Sequence, residues 1–235
     1  MKAEERLPVW VVLVAAGAGE RLGGDRPKAF MRFAGRTLLG ASLAALEDCA
    51  VVDGIVIVVP EGWEERTTLL ADDLCASKTA AAVSGGASRA DSVAAGLDEV
   101  PAEAAFVLVH DAARPLVSED LVDRVVAAVA AGADGAVPAL SLTDTIKRVA
   151  PDGTVLATLD RTELRAVQTP QGFAARSLRE AIAGDRRDVT DCASLVERAG
   201  GRVIAVEGDP RNLKVTTAGD LARAEALYLE RHGTD

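Results

Sequence analysis

This sequence predicts a Rossmann-like α/β fold, a mostly parallel sheet with helices on both faces, and three observations point to it. Over the first 140 residues short apolar runs alternate with stretches of helical spacing, a βαβ rhythm that requires crossover connections and hence parallel pairing. A glycine-rich turn follows the first apolar run directly, at the strand end where open α/β sheets bind their ligands. The 235 residues, 49% of them hydrophobic, suffice to bury a full core. Residues 1–235 read as a single domain with one excursion.

In chain order, Val9 to Ala15, Gly54 to Val59, Ala80 to Val83, Ala104 to Val109 and Gly135 to Leu140 are the predicted strands. Helices fall between them, marked by Leu39, Leu43 and Leu46, and later by Leu121, Val125 and Val129, each set lining one helical face. The glycine turn, Gly85-Gly86 and His110-Asp111 each follow a strand and so can converge on one edge of the sheet. After Leu140 the pattern changes. Thr143 to Val149 and Thr154 to Leu159 alternate polar and apolar residues around Pro151-Asp152-Gly153, a strong turn signal, so a β-hairpin arm is predicted at about residues 141–166. The arm reads either as an edge hairpin with one wet face or as a dimerisation arm. Helices from roughly Ala174 and Asp191, a strand at Val203 to Val206 and a helix from about Ala218 complete the chain.

Charge and composition exclude several functions. With 26 basic against 36 acidic residues and a net charge of −10, bulk binding to nucleic acid or an anionic membrane is disfavoured, so a local cluster of cations is purposeful. Cys49, Cys75 and Cys192 are odd in number and widely spaced. They suggest neither a disulfide framework nor a zinc site, and a reducing cytoplasm suits them. His110 and His232 are the only histidines. That rules out a histidine-rich metal site, and His110 reads as packing or bonding locally beside Asp111 rather than acting as a base. Val9 to Ala16 is long enough for a signal-peptide core, but Glu4 and Glu5 cancel Lys2 and Arg6, and cleavage would remove the strand that the glycine turn must follow. No apolar run approaches the length of a membrane span.

Residues 12–28, VLVAAGAGERLGGDRPK, carry the sharpest chemical signal. Gly17 and Gly19 let backbone N–H groups approach an anion, with Arg21 and Lys28 supplying positive charge on either side. A dinucleotide fingerprint would need glycine where Leu22 stands, and a phosphate-binding Walker loop would need Gly-Lys-Ser/Thr where Lys28 follows Pro27. The bland alternative is a tight turn with two solvated charges. Residue usage weighs against it: the chain has 21 arginines and only five lysines, so a lysine at this position suggests a need for a compact ammonium.

Further strings extend the pattern along nearly the whole chain: Gly85-Gly86-Ala87-Ser88-Arg89-Ala90-Asp91-Ser92, Val109-His110-Asp111-Ala112-Ala113-Arg114-Pro115, Asp144-Thr145-Ile146-Lys147-Arg148, Asp160-Arg161, Gln168-Thr169-Pro170-Gln171 and Asn212-Leu213-Lys214-Val215-Thr216. With Ala15-Ala16-Gly17-x-Gly19-x-Arg21 and Pro27-Lys28, this ordered set resembles the 2-C-methyl-D-erythritol 4-phosphate cytidylyltransferases, within the sugar-nucleotidyltransferase superfamily. The resemblance implies a divalent-cation-dependent enzyme in which the phosphate of the acceptor alcohol attacks the α-phosphorus of CTP and pyrophosphate leaves. Such a reaction brings polyanions together, so preorganised cations and Mg²⁺ answer its main difficulty. An ionised phosphate nucleophile needs no general base.

By the same resemblance, Arg21 and Lys28 stabilise the transition state, Lys214 and Arg161 aim the attacking phosphate, and Thr145 assists from the arm. Arg161 and Thr145 would reach the site from the partner subunit of a homodimer. Ala15, Ala16, Gly17 and Gly19 would wrap the nucleotide phosphates, while Ser92 and the Gly86 and Ala87 backbone would meet the cytosine edge. Asp111 would lie near the ribose, the phosphates or the metal ion, which is otherwise held through CTP; its alternative is a turn-capping aspartate. Ser92 is alternatively a buried helix serine bonded to its own backbone. Thr169 either binds substrate or merely precedes Pro170. Asn212, Lys214 and Thr216 alternate with Leu213 and Val215 and are expected on one strand face, which without function would be the wet face of an edge strand.

Three departures stand out: Glu20 where some members of the family carry a second arginine, Ala87 for a frequent acidic residue, and Cys192 where Glu is common. The sequence leaves two other functions open. A ribitol 5-phosphate cytidylyltransferase shares these motifs, and a non-catalytic nucleotide-sensing module shares the fold.

Overall fold

A computed structural model describes residues 6–17, 26–187 and 189–233. Strand β1 (Val9–Val14) sits mid-sheet because it is apolar on both sides. Val9, Val11 and Leu13 enter one core layer, whereas Val12 enters the other, as strand alternation requires. It pairs in parallel with β4 (Gly54–Val59) on one side and β6 (Phe106–Asp111) on the other. Beyond β4 lies parallel β5 (Thr79–Ser84). Past β6 the sheet turns antiparallel through β11 (Gln171–Ala174) and β7 (Gly135–Ser141), which also pairs β10 (Arg165–Val167) and, in parallel, β12 (Val203–Glu207). Among the described residues these strands form one eight-stranded sheet.

One face is covered by α1 (Leu38–Glu47), α2 (Glu64–Asp73) and α4 (Glu119–Ala130). The other is covered by α3 (Arg89–Asp98), α5 (Ala175–Ile182) and α6 (Cys192–Arg198). A satellite core of Phe33, Leu38, Ala41, Leu116, Val215 and Ala224 seats the C-terminal helix α7 (Ala218–His232). Side chains of Thr37, Ser88 and Asp191 cap α1, α3 and α6, and Thr217 with Asp220 forms a capping box on α7, each satisfying N–H groups the helix cannot.

The order of strands β1, β4 and β5 runs one way from the centre and β6 lies on the other side, so the crevice between the ends of β1 and β6 is a topological switch point. The main expectations stand, with corrections at the margins. The strand expected from Ala104 begins at Phe106, because Ala104 closes a turn onto Pro101. The arm is a hairpin of β8 (Ile146–Val149) and β9 (Val155–Leu159), shorter at its start than expected. A small hairpin of β2 (Arg32–Phe33) and β3 (Arg36–Thr37), turning through left-handed Ala34 and Gly35, was not anticipated.

The larger correction concerns residues 212–216, which form no strand. Asn212 and Val215 are both fully buried, a spacing of three that excludes the alternating face expected for Asn212, Lys214 and Thr216. Val215 drops into the satellite core and its N–H donates to the Ala113 carbonyl at 2.8 Å. Thr216 bonds Asp220 at 2.6 Å, so its hydroxyl belongs to the start of α7.

Candidate active site

The crevice at the switch point is a cavity of about 430 Å³, lined from several strand ends. Val14 to Gly17 leave β1, Gly86 to Arg89 lead from β5 into α3, and Asp111 to Ala113 end β6. Two backbone hydrogen bonds lock these ends together, Ala112 N–H to the Val14 carbonyl at 3.0 Å and Ala15 N–H to the Val58 carbonyl at 2.7 Å. Glycine at position 85 is dictated by crowding: a Cβ there would stand 2.5 Å from the Ala16 methyl and 2.7 Å from Ser92 Oγ. At Gly86 it would meet the Asp91 side chain at 2.4 Å.

Positive charge enters from separate parts of the chain. Lys28, on a single 3₁₀ turn (Lys28–Phe30), and Lys214, on the loop before α7, both line the cavity. Arg89, the first residue of α3, joins them. Asp111 is the hub: its carboxylate accepts from Arg89 at 3.1 Å and from Lys214 at 2.6 Å. Burial alone would raise the pKa of that carboxyl, but the adjacent Arg89 and Lys214 charges outweigh burial and hold it far below the usual carboxylate range.

Beneath Asp111 runs a buried relay. Its backbone N–H donates to Thr169 Oγ at 3.0 Å, Thr169 in turn lies 3.1 Å from His110 Nδ1, and His110 Nε2 lies 3.1 Å from the Arg114 carbonyl. The carbonyl can only accept, so Nε2 carries the ring proton and Nδ1 accepts from Thr169. Full burial depresses the His110 pKa from 6.5 to about 4, so the ring is neutral at physiological pH, with both nitrogens engaged. Between pH 6.5 and 4 the unfolded chain takes up a proton that folded His110 refuses, so stability falls as pH drops through that window. Denaturant titrations at pH 7 and pH 5 are expected to show wild type losing about 2 kcal/mol more than His110→Gln.

Ala15, Ala16, Gly17, Lys28, Gly86, Ala87, Ser92, Asp111 and Lys214, all expected from sequence, line this one cavity. Gly19 and Arg21 fall outside the described residues, as does Glu20. Thr169 is not in the lining; its hydroxyl accepts from the Asp111 backbone N–H. Ser92 lines the cavity, and its hydroxyl donates to the Ser88 carbonyl at 2.9 Å, as its reading as a helix serine bonded to its own backbone expects. It also accepts from Gly86 N–H at 3.2 Å.

Thr145 and Arg161 are exposed on the arm and line no part of the cavity of their own chain; the Arg161 guanidinium bonds the Thr143 carbonyl. Arg89 and Ser88 are lining residues that sequence reasoning passed over, although both stand in the Gly85 to Ser92 string. The Cys192 thiol faces Arg89 at 3.5 Å, and burial pushes its pKa up to about 11, so it packs as a neutral group. Among the described residues no cluster of His, Cys, Asp or Glu could hold a metal ion alone. Asp111 offers the hard oxygen donor that Mg²⁺ prefers, in the pattern of one carboxylate shared with substrate phosphates.

A crevice across a sheet's switch point, faced by lysines and an arginine around one carboxylate, defines an α/β protein built to bind a phosphate-bearing ligand. Comparison with known proteins narrows this class. The family model described as "IspD: 2-C-methyl-D-erythritol 4-phosphate cytidylyltransferase" matches residues 9–231, and the chain belongs to that family. It is 46% identical over 229 residues to the 2-C-methyl-D-erythritol 4-phosphate cytidylyltransferase of Rhodococcus jostii (strain RHA1), covering 97% of this chain and 98% of that protein. The enzyme of that name from Nocardia farcinica (strain IFM 10152) is 46% identical, with 95% of each chain covered. Among solved structures, the 2-C-methyl-D-erythritol 4-phosphate cytidylyltransferase of Thermus thermophilus superposes with a TM-score of 0.76 at 38% identity, over 92% of this chain and 97% of that one.

Proposed function

We propose that this chain transfers the cytidylyl group of CTP to 2-C-methyl-D-erythritol 4-phosphate, giving 4-diphosphocytidyl-2-C-methyl-D-erythritol and pyrophosphate. What carries the reading is that Lys28 lines one cavity with Asp111 and with the Arg89 and Lys214 that pair with it, in a chain that belongs to this family. An acceptor phosphate oxygen forms a bond to the α-phosphorus of CTP, the bond from that phosphorus to the bridging oxygen of the β-phosphate breaks, and its electron pair departs with pyrophosphate. No proton need move at the nucleophile, which agrees with a His110 that is buried, neutral and fully bonded.

In this reading the Ala15 to Gly17 backbone and Lys28 hold the triphosphate, and the Lys28 ammonium meets the charge that grows on the α-phosphate as the reaction proceeds. Arg21 would share that role by the family resemblance. Lys214, steered by Asp111, aims the acceptor phosphate, while Ser92 and the Ala87 backbone bound the cytosine pocket. Asp111 would help hold a divalent cation, which would supply further charge neutralisation. The arm supports a homodimer: Val149, Val155, Leu156, Leu159 and Val167 are 38–58% exposed on or beside it, an apolar ribbon suited to a second copy, from which Arg161 and Thr145 would complete the site. No helix among the described residues is long and apolar enough to cross a membrane.

A pyrophosphate-release screen of the four ribonucleoside triphosphates against several polyol phosphates, with and without Mg²⁺, tests this. Turnover only with CTP, methylerythritol phosphate and the metal is the expected result. Exclusive use of ribitol 5-phosphate, or CTP binding with no pyrophosphate from any acceptor, would overturn it. Exchanged mixtures of Arg161→Ala and Lys28→Ala chains should regain up to about a quarter of wild-type activity, as random pairing gives one intact site per mixed dimer. Mixtures as inactive as their parents would place the whole site within one chain.

A further inference from the structure

Beside the cavity, and outside its lining, three side chains form a cluster that the proposed mechanism does not use. The Phe30 ring packs on the Trp63 indole with centroids 4.3 Å apart, and the Arg66 guanidinium lies over the same indole at 5.1 Å. Phe30 is the last residue of the 3₁₀ turn whose first residue is Lys28, and Ala29 between them is buried in the cavity wall. That turn has no side-chain cap. Its backbone closes on itself, Phe30 N–H to Pro27 at 2.9 Å and Met31 N–H to Lys28 at 3.1 Å, so within the turn the bonds fix its shape and not its attachment to the sheet.

Trp63 supplies an attachment. It stands just past the end of β4, after the Pro60 to Gly62 bend, with its N–H bonded to Pro60 at 3.1 Å and Gly62 in the left-handed region. The indole and the Phe30 ring both pack on the large core layer. Cation and aromatic contacts of this kind favour one seating of a three-residue turn over its alternatives. A displacement of about 1 Å in a group that must meet developing charge costs up to about a hundredfold in rate.

We infer that Trp63 is a positioning residue that sets the aim of the Lys28 ammonium through the Phe30 ring. The inference rests on the catalytic role proposed for Lys28, and a double-mutant cycle separates the two. Trp63→Ala is expected to lower kcat about tenfold with acceptor KM within about twofold of wild type, and Trp63→Phe, which keeps a stacking ring, to restore most of it. In a Lys28→Ala background, Trp63→Ala should have no further effect on turnover. Trp63 makes no side-chain capping bond to α2, so the helix loses no cap in these variants, and melting curves identify any that fails to fold. Equal loss from Trp63→Ala with and without Lys28, or an alanine variant with wild-type kcat, overturns the inference. A Lys28→Ala enzyme with undiminished turnover overturns the role of Lys28 itself.

Discussion

Lys28→Ala is expected to lower kcat by about a hundredfold to a thousandfold, with a much smaller change in acceptor KM, because preorganised cationic or N–H groups aimed at developing charge account for effects of that size. The side chain lines the same cavity as Asp111 and Lys214, yet it enters from the turn after the glycine loop and so can meet the triphosphate while Lys214 meets the acceptor. It is one of only five lysines in the chain, and its compact charge follows an oxygen as bonding changes, whereas a guanidinium prefers a planar, two-point contact. Lys28→Arg should therefore recover only part of the loss. Steady-state pyrophosphate release checks both variants. A defect confined to acceptor KM would show that Lys28 holds the ground state and does not favour the transition state.

Asp111→Asn is the second change with a large expected effect, because one carboxylate organises two cations. Its side chain is 11% exposed, that of Arg89 26% and that of Lys214 42%. Removing the charge leaves the guanidinium largely desolvated without its anion, while Lys214 is open enough for water to compensate. Discounted for that screening, the loss is about 2 kcal/mol, a fall of roughly 4–8 °C in melting temperature for a chain of this size. Activity should drop about a hundredfold, as both Lys214 and any bound metal ion lose their orienting group. The pH dependence follows from the depressed pKa of Asp111. Its contribution is full above the ordinary carboxylate value and is lost as pH falls toward the folded one, so wild type loses stability below about pH 4 and the Asn variant lacks that share of the loss. Melts across the acid range provide the check; identical acid limbs would mean that Asp111 gains nothing from its cations.

Legibility in the sequence tracked how strongly a residue's neighbours along the chain determine its surroundings. Strands β1 and β4 could be read because β-branched runs buried on two sides admit little else. Strands β10 and β11 could not, since three or four residues carry no period and their pairing to β7 is long-range. Asn212 to Thr216 imitated a strand because its polar and apolar residues alternate, yet each side chain there answers to a different partner: Asn212 to the Thr169 carbonyl, Lys214 to Asp111, Thr216 to Asp220. Lys28, Lys214 and Asp111 were legible because they are rare or charged residues inside strings that also carry glycine, proline or strand-end signals. Arg89 was not, because 21 arginines make any one of them inconspicuous, and only the fold shows that it shares a carboxylate with Lys214.

The seam at Gly85 has a consequence for how this crevice can change over time. There the Gly85 backbone packs directly against the Ala16 methyl and the Ser92 side chain, leaving no room for a side chain of its own where the turns leaving β1 and β5 meet. A single added methyl would wedge the two turns apart and push Ser92 from its seat, widening the mouth without adding any group able to recognise a ligand. Variation in what the crevice accepts is thus channelled away from this seam and toward lining positions such as 87, where side chains can be exchanged without prising the sheet ends apart.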